Sequence, residues 1–165
     1  MPDRNLKDKV VVVGAGAKNL GGLISKTFAN NGADIAVHYH SDSTRKDADN
    51  TVEAIKKAGR NAFAFQGDLT KPNEITRLFD ETLDQLGRVD IAINTVGKVL
   101  KKPFAETTEA EFDNMFDINS KAAYFFIQEA GKRIDNGGSI ITITTSLLAA
   151  FTGLYSTYAG GKSPV

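Results

Sequence analysis

Tyr158 and Lys162 stand four residues apart in the stretch Tyr158-Ala159-Gly160-Gly161-Lys162. On a helix, that spacing puts both side chains on one face. A tyrosine hydroxyl ionises near pH 10 and is a slow proton donor at neutrality. Lowering such a pKa by about 3 takes about 4 kcal/mol of selective stabilisation of the phenolate. A single cation at about 4 Å supplies roughly that at an effective dielectric near 20. The pair can therefore serve as general acid and base toward an oxygen whose charge changes during a reaction. Thr144, Thr145 and Ser146 precede it, and each carries a hydroxyl able to donate a hydrogen bond to that oxygen.

A second stretch, Gly14-Ala15-Gly16-Ala17-Lys18-Asn19-Leu20-Gly21-Gly22, lies near the other end of the chain. Small residues between a strand and a helix let backbone N–H groups approach a pyrophosphate, and the helix N-terminus adds partial positive charge. Asp68 in Gly67-Asp68-Leu69 suits a cap for the helix that follows it. His38 and His40 have i,i+2 spacing and share one face of a strand. A metal site needs more ligands, and with no cysteine and no convergent His or acidic cluster, none is expected.

Elements that could position these groups alternate along the chain. Val10–Val13, Asp34–Tyr39, Ala62–Gln66, Val89–Asn94 and Ser139–Thr145 read as strands. Between them, Leu20–Asn30 and Thr44–Ala58 carry helical spacing, and Thr70 is a candidate N-cap for a helix bearing Ile75, Leu78, Phe79, Leu83 and Leu86. Thr108-Glu109-Ala110-Glu111 has capping-box spacing and opens helical sequence that runs to about Ile134. A last helix carries Tyr158. Continuous apolar strands alternating with helices predict an α/β fold, a doubly wound parallel sheet in a single domain spanning 1–165. Ligands of such folds bind beyond the carboxyl ends of the strands, where the strand order reverses.

Composition removes other classes. Twenty basic and twenty acidic residues give a formal net charge of zero, so neither a nucleic acid nor an anionic membrane surface is the expected partner. No run approaches the roughly 20 apolar residues of a membrane span, and the charged N-terminus does not resemble a signal peptide. A soluble, cytoplasmic protein is the expectation.

Taken in order, these motifs resemble those of the short-chain dehydrogenase/reductase family. That family's T-G-x-x-x-G-x-G loop falls on Gly14 through Gly21, with Gly14, Ala15 and Asn19 replacing its Thr and first two Gly. Asn19 tolerates a left-handed backbone, and Gly16 is the candidate to take over the role that Ala15 vacates. Asp90-Ile91-Ala92-Ile93-Asn94-Thr95-Val96-Gly97 resembles D-x-x-x-N-N-A-G, and Phe116-Asp117-Ile118-Asn119 ahead of Ala122-Ala123-Tyr124-Phe125-Phe126 resembles V-N-x-x-x-x-F. Tyr158 and Lys162 complete Y-x-x-x-K.

The resemblance implies a Rossmann-like dinucleotide-binding fold and hydride transfer between NADP(H) and a carbonyl or secondary alcohol. It assigns catalysis to Tyr158, Lys162 and Asn119, with Ser146 or Thr145 as the hydroxyl that polarises the carbonyl. Asn119 would kink its helix and hold a water of a proton relay. It assigns cofactor binding to Gly14, Gly16, Lys18, Asn19, Leu20, Gly21, His40, Ser41, Asp68, Leu69, Asn94 and Gly97, together with Tyr158 and Lys162. Asp68 would accept from the adenine amino group, and Asn94 would tie neighbouring strands together. The second strand ends His38-Tyr39-His40-Ser41 with no acid, while Lys18, Ser41, Ser43 and Arg45 lie nearby, so NADP(H) is favoured and NAD(H) is the alternative. A homodimer or homotetramer is implied as well. Because the family continues past Y-x-x-x-K with further strands, the 165 residues are expected to be an incomplete domain with little turnover of its own. The replacements at Ala15 and Asn19 keep a second reading open, a catalytically weak nucleotide-sensing regulator on the same fold.

Overall fold

The computed structural model describes residues 5–165. Strands β1 (Val10–Gly14), β2 (Asp34–Tyr39), β3 (Ala62–Gln66), β4 (Ile91–Asn94) and β5 (Ser139–Thr142) form one parallel sheet in the order β3-β2-β1-β4-β5. Val10–Val13 lies at its centre because a β-branched run without polar alternation needs cover on both faces. Val11 and Val13 join Ile35, Val37, Ala29, Ala48 and Ile55 on one face. Val12 joins Ala36, Ala92, Leu78, Phe79 and Phe126 on the other. Each of these larger side chains contributes about 1.5–3 kcal/mol through removal from water.

The first face is covered by α1 (Asn19–Asn30) and α2 (Arg45–Lys57), the second by α3 (Pro72–Leu86) and α5 (Ala122–Arg133). Phe79 of α3 meets Phe126 of α5 edge to face at 5.3 Å. No helix among the described residues is long and apolar enough to cross a membrane.

β4 begins at Ile91 rather than Val89 and α2 is one residue shorter at each end than expected, and three further differences bear on the site. α3 begins at Pro72 rather than after Thr70, since proline is favoured in the first turn, where its missing N–H is not needed. Thr70 instead donates to Asp68, two residues back, from both its amide and its hydroxyl. β5 pairs with β4 only as far as Thr142, and Thr145 caps a short 3₁₀ turn, Ser146–Leu148. The helical sequence from Thr108 is also interrupted. α4 (Glu109–Phe116) starts in the expected capping box, passes into a π-helical stretch at Asp117–Lys121, and resumes as α5. Glu111 in that box also binds Lys102 Nζ at 2.8 and 2.9 Å, and the ion pair, helped by the Thr108 bonds, pushes its carboxyl down to about 2. A final helix, α6 (Ser156–Lys162), carries Tyr158.

Asp90 begins the fourth motif of the sequence, yet it works at the end of the sheet away from the strands' carboxyl termini. Its nearly buried carboxylate accepts from Lys9 Nζ at 2.8 Å, Val10 N at 3.0 Å and Arg88 at 2.7 Å. Burial alone would raise its pKa, but these donors outweigh it and hold the carboxyl below the usual range. Asp90→Ala leaves the buried Val10 amide without its acceptor, while Lys9 and Arg88 are nearly half exposed and can turn to water, so the variant should lose about 1–3 kcal/mol of stability. Urea denaturation of the variant checks this, and an unchanged midpoint would contradict it.

Candidate active site

The chain runs outward from β1 through β2 to β3 and then returns to β4 on the other side of β1, so the strand order reverses between β1 and β4. A cavity of about 470 Å³ opens beyond the carboxyl ends of these strands. Its wall includes Ala15 after β1, His38 and His40 at the end of β2, Asp68 and Leu69 after β3, and Gly97 after β4. Asn114, Asp117 and Ile118 from α4 and the π-helical stretch line it too.

The β1–α1 loop departs from expectation in an informative way. Ala15 itself adopts the left-handed conformation, with φ 57°, and Asn19 does so at φ 50°. Gly16 does not take that role. It is glycine because a Cβ there would lie 2.8 Å from Val13 O and 2.9 Å from Ser25 Oγ. A residue with a Cβ is disfavoured in the left-handed region by about 1–2 kcal/mol, so Ala15 needs support from its surroundings. Gly21 lies under the same turn, where an added Cβ would meet Ala15 O at 2.0 Å. Lys18 occupies the N-cap position of α1 without a side-chain capping bond and reaches Asp47 at 3.6 Å, and Leu20 is half exposed on the first turn.

At the neighbouring strand ends, Asp68 accepts from Thr70 rather than capping α3 directly. Its burial opposes ionisation, yet the Thr70 bonds together with His40 and Lys71 keep it below its ordinary pKa, so it faces the cavity as a carboxylate. His40 is exposed on the cavity wall, and Ser41 pairs with Ser43 at 3.0 Å outside it. Arg45 bonds Gln66 at 3.1 Å and lies over the Tyr39 ring.

Asn94 ties neighbouring strands through its backbone, opposite Gly14 in β1 and Thr142 in β5, while its side chain accepts from Val96 N at 3.0 Å. The Thr95 hydroxyl donates to Gly14 O at 2.7 Å and closes the gap between β1 and the turn after β4. Gly14 is buried against Asn94 and Phe126 and does not face the cavity.

Gly97, Asn119 and Lys162 converge. A Cβ at Gly97 would meet both Asn119 Oδ1 and Lys162 Nζ at 3.1 Å, so any larger residue would crowd both side chains. Asn119 is fully buried at the π-helical stretch, where it accepts from Lys98 N at 3.1 Å and donates to Lys98 O at 2.9 Å. Lys162, 4% exposed, donates to Ile143 O at 3.0 Å and to Val96 O at 3.4 Å. No carboxylate partners it among the described residues, and burial lowers its pKa from the ordinary lysine value. Tyr158 is half-buried one turn before it. Thr145 Oγ1 accepts from Leu147 N at 3.3 Å, whereas the Ser146 hydroxyl makes no hydrogen bond among the described residues. Tyr158, Thr145 and Ser146 stand outside the wall of the 470 Å³ cavity.

These features fit a dinucleotide. The cavity has the volume of a small-molecule site, the loop at the start of α1 is kept free of side chains at Gly21, and an unpaired ammonium approaches through the space that Gly97 leaves.

Such a sheet, switch point and site define a Rossmann-like nucleotide-binding protein. A family model described as enoyl-(acyl carrier protein) reductase matches residues 14–165. The hydroxynaphthalene reductase-like protein Arp2 of Metarhizium majus is 35% identical over 164 residues, covering 98% of this chain and 60% of the relative. A short-chain dehydrogenase/reductase of Pestalotiopsis microspora is 34% identical over 161 residues, covering 97% and 60%. The crystal structure of a protein from Burkholderia cenocepacia with bound NADP superimposes with a TM-score of 0.96 at 50% identity, covering 100% of this chain and 63% of that one. The chain belongs to the short-chain dehydrogenase/reductase family. It spans about 60% of the length of the curated relatives it matches.

Proposed function

We propose that the protein is a cytoplasmic oxidoreductase that transfers a hydride between NADP(H) and a small carbonyl compound or secondary alcohol. One observation carries the reading. Among the described residues, Lys162 is a buried cation without a carboxylate, pressed against Gly97 and Asn119 and bonded to the carbonyls of Ile143 and Val96. A bare buried charge is costly to fold around, and it is kept where it acts on something that binds.

The nicotinamide supplies or accepts the hydride when bound. Tyr158 gives its proton to the carbonyl oxygen in reduction and takes it back in oxidation. Lys162 favours the phenolate form of Tyr158 and holds ribose hydroxyls with the donor capacity left over from Ile143 and Val96. Ser146, whose hydroxyl makes no hydrogen bond among the described residues, donates to the substrate oxygen, and Thr145, which only accepts in its turn and keeps its O–H free, is the second candidate. Asn119 fixes the Lys98 backbone and positions the water that passes the proton on. Asp68 and His40 receive the adenosine, Leu69 and Gly97 line the cavity beside them, the loop residues Gly16, Lys18, Asn19, Leu20 and Gly21 set the start of α1, and Gly14 and Asn94 hold the strand ends beneath.

NADP(H) is the preferred nucleotide. β2 itself ends without a carboxylate at Tyr39, and Ser41, Ser43 and Arg45 follow it with Lys18 in the β1–α1 loop, Arg45 lying 3.5 Å from Asp42 and Lys18 3.6 Å from Asp47. The exposed aromatic residues Phe112 on α4 and Tyr124 on α5 provide a surface for a homodimer or homotetramer. Titrating both nucleotides tests the preference. NADPH should bind about tenfold or more tightly than NADH, a difference of about 1.4 kcal/mol, and the reverse order would overturn it.

A further inference from the structure

We propose that His38 is a positioning residue that holds Ala15 in the left-handed conformation required of the β1–α1 loop. This rests on the reading of the adjoining cavity as a cofactor site. His38 is 3% exposed and sits one residue before the end of β2. Its Nδ1 lies 2.9 Å from the Ala15 amide, and its Nε2 lies 2.9 Å from Gly67 O. An amide N–H can only donate and a carbonyl can only accept, so the ring is neutral with its proton on Nε2. Burial, which lowers its pKa to about 4, keeps it in that form.

The ring thus spans from the loop after β1 to the residue that precedes Asp68. Ala15 occupies a backbone region that suits glycine, at φ 57°, and its amide has a partner that a glycine at that position would not need in order to stay there. His38 supplies from a neighbouring strand the constraint that the loop's own residue type does not provide. It also fixes the loop relative to Asp68, so both ends of the adenosine side move as one unit.

The test is a set of substitutions read by NADPH fluorescence titration and, without nucleotide, by amide hydrogen exchange at Ala15. His38→Phe keeps a ring but loses both bonds, and should raise the NADPH Kd about tenfold and speed Ala15 exchange, as loss of a buried hydrogen bond does. His38→Asn, whose Oδ1 can stand where Nδ1 stood, should restore most of the affinity, and His38→Gln, which reaches only toward Gly67, should not. In an Ala15→Gly background the His38→Phe penalty should fall below about threefold, because glycine adopts this conformation unaided.

An equal penalty in both backgrounds would overturn the proposal, since His38 would then act only through packing. So would Ala15 exchange that His38→Phe leaves unchanged. If His38→Phe fails to fold, equal affinities of the Asn and Gln variants would overturn it. Failure of the unaltered protein to bind NADPH would instead contradict the cofactor reading, and Ala15 exchange would still decide the role of His38.

Discussion

Tyr158→Phe is expected to lower turnover about a thousandfold while leaving the NADPH Kd within about threefold, the range seen when a positioned proton donor is removed. The substitution deletes one oxygen from a half-buried side chain whose hydroxyl bonds nothing else among the described residues, so the fold has little to lose. Lys162 keeps its bonds to Ile143 O and Val96 O in the variant, and Gly97 and Asn119 keep their approach to it. The nucleotide bed is therefore intact, and only the proton has lost its donor. Single-turnover NADPH oxidation beside a binding titration separates the two effects. A loss below about tenfold would mean that another group delivers the proton.

Gly21→Ala is expected to weaken NADPH binding by about 100-fold, or about 2.7 kcal/mol. The new methyl would stand 2.0 Å from Ala15 O, 2.8 Å from Ala15 C and 2.9 Å from Thr95 Oγ1. Two of these are backbone atoms that cannot turn aside, so the loop must lift from the start of α1, and overpacking of this kind costs about 1–3 kcal/mol. Lifting also strains the Ala15 bond to His38 and the Thr95 bond to Gly14. Gly131→Ala is the control. Its Cβ would meet nothing within 4 Å, so it should bind NADPH as before and gain about 0.5–1 kcal/mol of helix stability. Equal Kd values for the two variants would remove the loop from the site.

The sheet was legible because its strands are written locally. Val10–Val13 and Ala62–Gln66 are short apolar runs bounded by glycine or polar turns, and they appear with nearly those limits. The capping box at Thr108 was legible for the same reason, since both partners lie within four residues. The interruption at Asp117–Lys121 was legible only through the resemblance, which puts a kink at Asn119, because apolar spacing from Met115 to Ala122 reads the same with or without one extra residue in the turn. The bond from Thr95 to Gly14, which joins residues 81 positions apart, was not legible.

The loop is the most instructive case. Asn19 holds a left-handed angle, as its residue type allows, but Gly16 does not take over from Ala15, which adopts that angle itself and bonds a histidine 23 residues away. That contact comes from the neighbouring strand, so the local sequence does not show it. Among the assigned site residues, Gly97, Asn119 and Lys162 meet in space, and Asp68 and His40 share a cavity wall. Ser41 and Leu20 remain apart from that wall, and Asp90 from the same motif as Gly97 serves the opposite end of the sheet.

The most direct test of hydride transfer is isotopic. NADPH carrying deuterium at the transferred position of the nicotinamide is incubated with the protein and a panel of small aldehydes and ketones, and the products are weighed by mass spectrometry. An alcohol with one deuterium on its carbinol carbon is expected, and that product is lost in Tyr158→Phe. NADPH that binds but transfers no label to any carbonyl compound would contradict it.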